Sequence, residues 1–174
     1  MYLEGRGIAQ DDKTAVKWRT LAAEQGNAEA QFNLGVMYQI GYGVAQDYKT
    51  AVKWFTLAAE QGAAFAQLWL GLMYYEGQGV AQDYKTAVKW YTLSAEQGYA
   101  SAQFNLGTMY ADGQGVAQDY LKAHMWFNIA AIDGSSKEAA PNRDKVAKLM
   151  TPAQIEKAQE AASRCIKQNF KNCD

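Results

Sequence analysis

His124 is the sole histidine of the chain, and Cys165 and Cys173 are its only cysteines. A structural zinc site takes four such ligands at close spacing, which this set cannot assemble. Nucleophilic catalysis needs a serine or cysteine held against a base, and no Ser-His-Asp or Cys-His pattern has supporting signals around it. His124 occupies the place that Val52 and Val88 hold in a recurring pattern, so a structural position inside a helix is expected of it. The pairs Gly41/Gly43, Gly77/Gly79 and Gly113/Gly115 could suggest a phosphate cradle. They lack a preceding strand and a following Lys-Ser/Thr, so they read as turns between helices. Asp47, Asp83 and Asp119 offer three carboxylates, each at the start of its own helix, where capping rather than acid-base chemistry is expected.

The elements that position these residues repeat. Val44-Ala45-Gln46-Asp47 returns at Val80–Asp83 and Val116–Asp119, with Ile8-Ala9-Gln10-Asp11 one period earlier. A period of about 20 to 50 residues marks a stacked architecture. Units run over 27–62, 63–98 and 99–134, with a partial unit over 1–26 and a non-repeating segment over 135–174. In the first helix of a unit, Ala28, Gln31, Leu34, Gly35 and Tyr38 share one face; in the second, Ala51, Trp54, Phe55, Ala58 and Ala59 do the same. Small residues let helices approach, and Tyr38 and Trp54 fill the space between layers. One such pair cannot bury its own apolar face, so neighbours must stack into an all-α solenoid.

Composition agrees and excludes. With 49% hydrophobic residues the chain can build a core, and with 17 basic and 18 acidic side chains it offers no electrostatic footprint for nucleic acid. Apolar stretches stop well short of the roughly 20 residues that span a bilayer, so no membrane insertion is expected. The first residues lack the basic start and apolar core of a secretory signal.

The recurring Ala28-x-Ala30-Gln31-x-x-Leu34-Gly35-x-x-Tyr38-x-x-Gly41-x-Gly43-Val44-x-x-Asp47, followed by Lys49, Ala51, Trp54 and Ala58-Ala59-Glu60-Gln61-Gly62, resembles the Sel-one-like repeat, a relative of the tetratricopeptide repeat. The resemblance covers roughly residues 1 to 134. It implies a right-handed α-α superhelix that serves as a non-enzymatic scaffold or adaptor for a protein or peptide, with no cofactor and no shared catalytic residues. It also implies a bacterial periplasmic or secreted setting. Two further readings are an immunity or inhibitor protein that captures a secreted toxin, and an enzyme or binder acting on β-lactams or cell-wall material. Cysteine-rich members linked to β-lactams carry a cysteine pair within each repeat, and these repeats contain none.

Met1-Tyr2 aligns with Met37-Tyr38, so the chain starts inside a unit. A parent extending N-terminally is expected, or a homodimer through the open N-terminal end. At the other end, Thr151-Pro152-Ala153-Gln154 reads as a capping box with proline at the first helical position. Its helix places Ile155, Ala158, Ala162 and Cys165 on one face, and Val146, Leu149 and Met150 mark a shorter helix that begins or kinks near Pro141. Together they read as a C-terminal cap. In a continuous helix Cys165 and Cys173 stand about 12 Å apart, too far to bridge. If the helix ends near Gln168 the chain can turn back and join them, which would agree with an oxidising compartment; otherwise Cys165 is a small buried hydrophobe.

Units 27–62 and 63–98 differ at ten positions, eight of them in the first helix or the turn after it. Positions 29, 33, 36 and 40 form one stripe, opposite Gln31, Leu34 and Tyr38, which should face the concave side. Across the units the stripe reads Glu29, Asn33, Val36, Ile40; then Phe65, Trp69, Leu72, Glu76; then Ser101, Asn105, Thr108, Asp112. Gln39, Tyr75 and Ala111 flank it. Aromatic anchors beside asparagine amides suit an extended peptide or a partner's helix. The alternative is that Trp69 fills a gap between neighbouring first helices.

Overall fold

A computed structural model describes residues 12–132, 134, 136–171 and 173. Among these residues there are nine α-helices and no strand: α1 Asp12–Glu24, α2 Ala28–Ile40, α3 Tyr48–Glu60, α4 Ala64–Glu76, α5 Tyr84–Ala95, α6 Ala100–Asp112, α7 Tyr120–Ala130, α8 Ala139–Ala147 and α9 Pro152–Lys167. The Ile8–Asp11 copy of the repeat signature and the Met1-Tyr2 start lie outside the described residues. First helices of the full units are α2, α4 and α6; second helices are α1, α3, α5 and α7. From α1 to α8 each helix packs on the next along the chain, so the stack is held by neighbours.

Short-range chemistry starts and stops the helices. Asp47 accepts from the backbone N–H groups of Lys49 and Thr50 at 3.0 and 3.3 Å, and from the Thr50 hydroxyl at 2.6 Å. Asp83 repeats this with Lys85 and Thr86, and Asp119 accepts from the N–H groups of Leu121 and Lys122. The threonine hydroxyls, then the backbone N–H groups, hold the Asp47 and Asp83 carboxyls below their ordinary value of 3.8. First helices end at Gly41, Gly77 and Gly113, whose left-handed φ of 73°, 71° and 69° turns each N–H back to the carbonyl of Met37, Met73 or Met109.

Two recurring residues set the spacing of the stack. A Cβ added at Gly35, Gly71 or Gly107 would come within 2.7, 2.7 or 2.8 Å of the ring of Phe55, Tyr91 or Phe127, so these glycines are the contact surface between first and second helices. Buried Gln31, Gln67 and Gln103 donate to the carbonyls of Ala23, Ala59 and Ala95 at 3.1, 3.1 and 3.2 Å. In turn, Gln61 donates to the Gln31 side-chain oxygen at 2.6 Å and Gln97 to that of Gln67 at 2.8 Å. This ladder ties each first helix to the second helix of the unit before it, while Gln61 and Gln97 tie α2 and α4 to the end of the second helix of their own unit, with each bond contributing about 1 kcal/mol.

Both α8 and α9 lie on α7. Val146 of α8 covers Ala123 and Phe127, while Ala162 and Cys165 of α9 join Trp126 and Ile129. Helix α8 begins two residues before Pro141 and stops at Ala147, so Leu149 and Met150 fall outside the helix expected to hold them. They form the turn into the Thr151 cap, and Leu149 is 63% exposed. Thr151 and Gln154 make the reciprocal capping box, at 3.3 and 2.8 Å.

Candidate interaction surface

The compared stripe runs along the face made by α2, α4, α6 and the start of α8. Glu29, Ile40, Glu76, Ser101 and Asp112 are exposed; Asn33, Val36, Gln39, Phe65, Trp69, Leu72, Tyr75, Asn105, Thr108 and Ala111 are half-buried. Gln31, Leu34 and Gly35 on the other side of α2 are buried.

Between α2 and α4 the face is filled. Phe65 meets Phe32 edge-on with centroids 4.6 Å apart, and Trp69 stacks over Phe55 at 6.2 Å with an interplanar angle of 28°. Phe32 also contacts Phe55 at 5.7 Å, and Val36 packs on the same cluster. These two predicted anchors therefore spend part of their surface on packing between units. The Gln39 amide reaches the Met73 sulfur at 3.8 Å, which closes the lower edge.

Between α4 and α6 the face is open. A cavity of about 290 Å³ has apolar walls from Leu72 and Tyr75 on one side and from Phe104 and Met109 on the other. Asn105, Thr108 and, from the cap, Asn142 supply its polar rim, and Tyr91 forms the floor. The Tyr91 side chain is buried and its hydroxyl is hydrogen-bonded with the Asn105 side chain. Burial first, then the nearby Tyr75 and Glu76, pushes the Tyr91 phenol far above its ordinary value of 10.0, so it stays neutral. A second cavity of about 380 Å³ adjoins it between α6 and α8, with Ala111, Asp112, Lys145 and Leu149 in its wall. Thr108 and Asn142 line both, which makes them one continuous groove. Of the stripe, Leu72, Tyr75, Asn105, Thr108, Ala111 and Asp112 line this groove; Glu29, Asn33, Val36, Gln39, Phe65, Trp69 and Glu76 do not.

The groove includes Tyr91, Phe104, Met109, Asn142 and Lys145, which the stripe omits. Tyr91 carried a signal: it is one of the two second-helix positions where the units differ, Phe55 becoming Tyr91. Asn142 and Lys145 lie outside the repeats, so no internal comparison reaches them.

The residues with reactive side chains remain separate. His124 is buried at 2% exposure on α7, with no hydrogen-bond partner at Nδ1. Burial, aided by Arg143 and opposed by Asp144, holds its imidazole below the ordinary value of 6.5. Among the described residues no group of three or more His, Cys, Asp or Glu is placed to hold a metal, and no helix is long and apolar enough to cross a membrane. Helix α9 ends at Lys167, and Asn169 and Phe170 take left-handed φ of 52° and 63°. That turn brings Cys173 to a Cα separation of 4.8 Å from Cys165, and the two form a disulfide.

The Sel1 repeat family model matches residues 1–27, 28–62, 64–99 and 100–135. Among solved structures, the chain is similar to c5321, a protective antigen of uropathogenic Escherichia coli strains with an SLR fold: 35% identity over 98% of this chain and 36% of that one, TM-score 0.87. It thus spans about a third of that antigen's length. It is also similar to a Sel1 repeat protein from Oxalobacter formigenes, with 36% identity over 75% of this chain and 98% of that one, TM-score 0.67. Cysteine-rich protein B of Helicobacter pylori, 20% identical over 79% of this chain and 98% of that one at TM-score 0.59, shares the fold. A search of curated sequences found no match.

Proposed function

We propose that this chain, which belongs to the Sel1 repeat family, binds a protein or peptide segment in the groove between α4, α6 and α8. Sel1 repeat proteins are generally non-catalytic scaffolds for protein interactions. The observation that carries the reading is the cavity over Tyr91: apolar walls, a rim of two asparagines and a threonine, and a volume near 290 Å³. That is just below the roughly 300–1,000 Å³ of pockets for drug-sized ligands, and it suits one large apolar side chain with its backbone held by amides. Selection from a displayed peptide library against wild type and Asn105→Trp in parallel tests this. Sequences enriched on wild type should be lost on the variant while it stays folded at the selection temperature; equal enrichment on both would refute the site.

A bacterial periplasmic or secreted location is part of the proposal, and the Cys165–Cys173 bridge supports it, because such bonds persist in oxidising compartments. Pairing of two copies through α1 is a separate reading for the N-terminal face. Trp18 is 65% exposed there, whereas its equivalent Trp126 is 3% exposed beneath α9. Light scattering over a range of concentrations decides it, and a strict monomer ends that reading.

A further inference from the structure

The formal net charge of −1 conceals an uneven placement of the lysines between the two helix layers. The first helices α2, α4 and α6 carry Glu29, Glu76 and Asp112 and no lysine or arginine. The second helices α3, α5 and α7 carry Lys49, Lys53, Lys85, Lys89 and Lys122 beside Glu60, with Asp47, Asp83 and Asp119 at their starts, so lysines are confined to this layer while carboxylates occur in both. Lys53 and Lys89 lie over the rings of Trp54 and Trp90 at 5.8 and 5.3 Å, on the layer away from the groove. Glu76 and Asp112 end the two helices that form the groove walls, both are exposed, and neither has an ion-pair partner among the described residues. Glu76 follows Tyr75 at the end of the helix that supplies one cavity wall, and Asp112 lines the adjoining cavity. Among the described residues that line the groove, Lys145 of α8 is the single cation, and it shares the adjoining cavity with Asp112. Arg143 is tied to Asp144 at 2.8 Å.

From this arrangement we infer that the occupant of the groove is a basic peptide segment: one large apolar side chain seated over Tyr91, flanked by lysine or arginine directed at Glu76 and Asp112. The inference rests on the groove reading and adds the charge of the partner. An apolar anchor alone would fill the cavity and leave both carboxylates facing solvent. An acidic segment would meet like charge at Asp112 in the groove wall and at Glu76 beyond Tyr75, where charge complementarity selects partners and speeds encounter. The asparagine and threonine rim bonds the backbone of either, so charge is what discriminates.

The test uses three pools of acetylated, amidated nonapeptides with leucine, phenylalanine or methionine at the centre. The flanks carry two lysines or arginines, two aspartates or glutamates, or neutral residues only. Retention on immobilised full-length protein is measured for wild type, for Glu76→Gln/Asp112→Asn and for Asn105→Trp. The expected result is about tenfold more retention of the basic than the acidic pool on wild type, a ratio near one on the double carboxylate variant, and a loss of the basic advantage as salt is raised. Equal retention of all pools on wild type, lost on Asn105→Trp, would overturn the inference and leave the groove reading standing. A basic preference that survives the double carboxylate variant would overturn it as well. Retention unaffected by Asn105→Trp, or no retention of any pool, would remove both. Circular dichroism melting of each variant confirms that folded protein is compared.

Discussion

At the α2/α4 junction Phe65 and Trp69 close over Phe55; one repeat later, at the α4/α6 junction, Ser101 and Asn105 leave Tyr91 as the floor of a cavity. The frame beneath is the same at both. Gly35 meets Phe55 and Gly71 meets Tyr91 at the same hypothetical Cβ distance of 2.7 Å, and the glutamine ladder runs through each. The difference therefore lies in the covering residues, and it shows how a solenoid can open a cavity in an otherwise repetitive surface. An indole fills the space in one unit, and a carboxamide that reaches down to a buried hydroxyl leaves it open in the next.

That contrast can be broken from either side. Trp69→Ala removes the ring that covers Phe55 and should cost about 3 kcal/mol of stability, the lower end for aromatic truncations because Trp69 is half-buried; denaturant melts measure it. A loss under about 0.5 kcal/mol would mean that Trp69 packs on nothing and is free for a partner. Gly71→Ala forces a methyl against the Tyr91 ring and should cost about 2 kcal/mol by overpacking. Tyr91→Phe copies the other junction's floor and should cost about 1 kcal/mol, since the Asn105 amide loses its buried partner. The same variant should weaken binding of peptides that reach the floor, seen as faster dissociation.

A fourth prediction concerns the end of the stack. Because burial lowers the folded-state value of His124 below 6.5, the unfolded chain takes up that proton first as pH falls. Stability from this group is complete above pH 6.5 and is lost below it. His124→Val, which restores the residue of the earlier units, should flatten the melting temperature between pH 7 and pH 5. An unchanged slope would place the acid sensitivity elsewhere.

The period, the aspartate caps and the Thr151–Gln154 capping box were legible in the sequence because each depends on neighbours within a few residues or on an exact repeat. The stripe was legible as a set of differing positions, since side chains that pack between units are tied to one another and those on the open face are not. Its division was not legible. Whether Trp69 or Asn105 faces open space depends on Phe32, Phe55 and Phe65 meeting across two units, and helix periodicity carries no information about that. The contribution of Asn142 was hidden for a further reason: α8 lies outside the period, so its placement beside α6 follows only from how the chain docks on α7.

The most direct measurement is the set of intermolecular nuclear Overhauser contacts in a complex with a peptide selected on wild type. Contacts are expected from the peptide's central apolar side chain to the Tyr91 ring, the Leu72 methyls and the Met109 methyl. Contacts confined to Trp69 and Phe65, or to the lysine-bearing second helices, would contradict it.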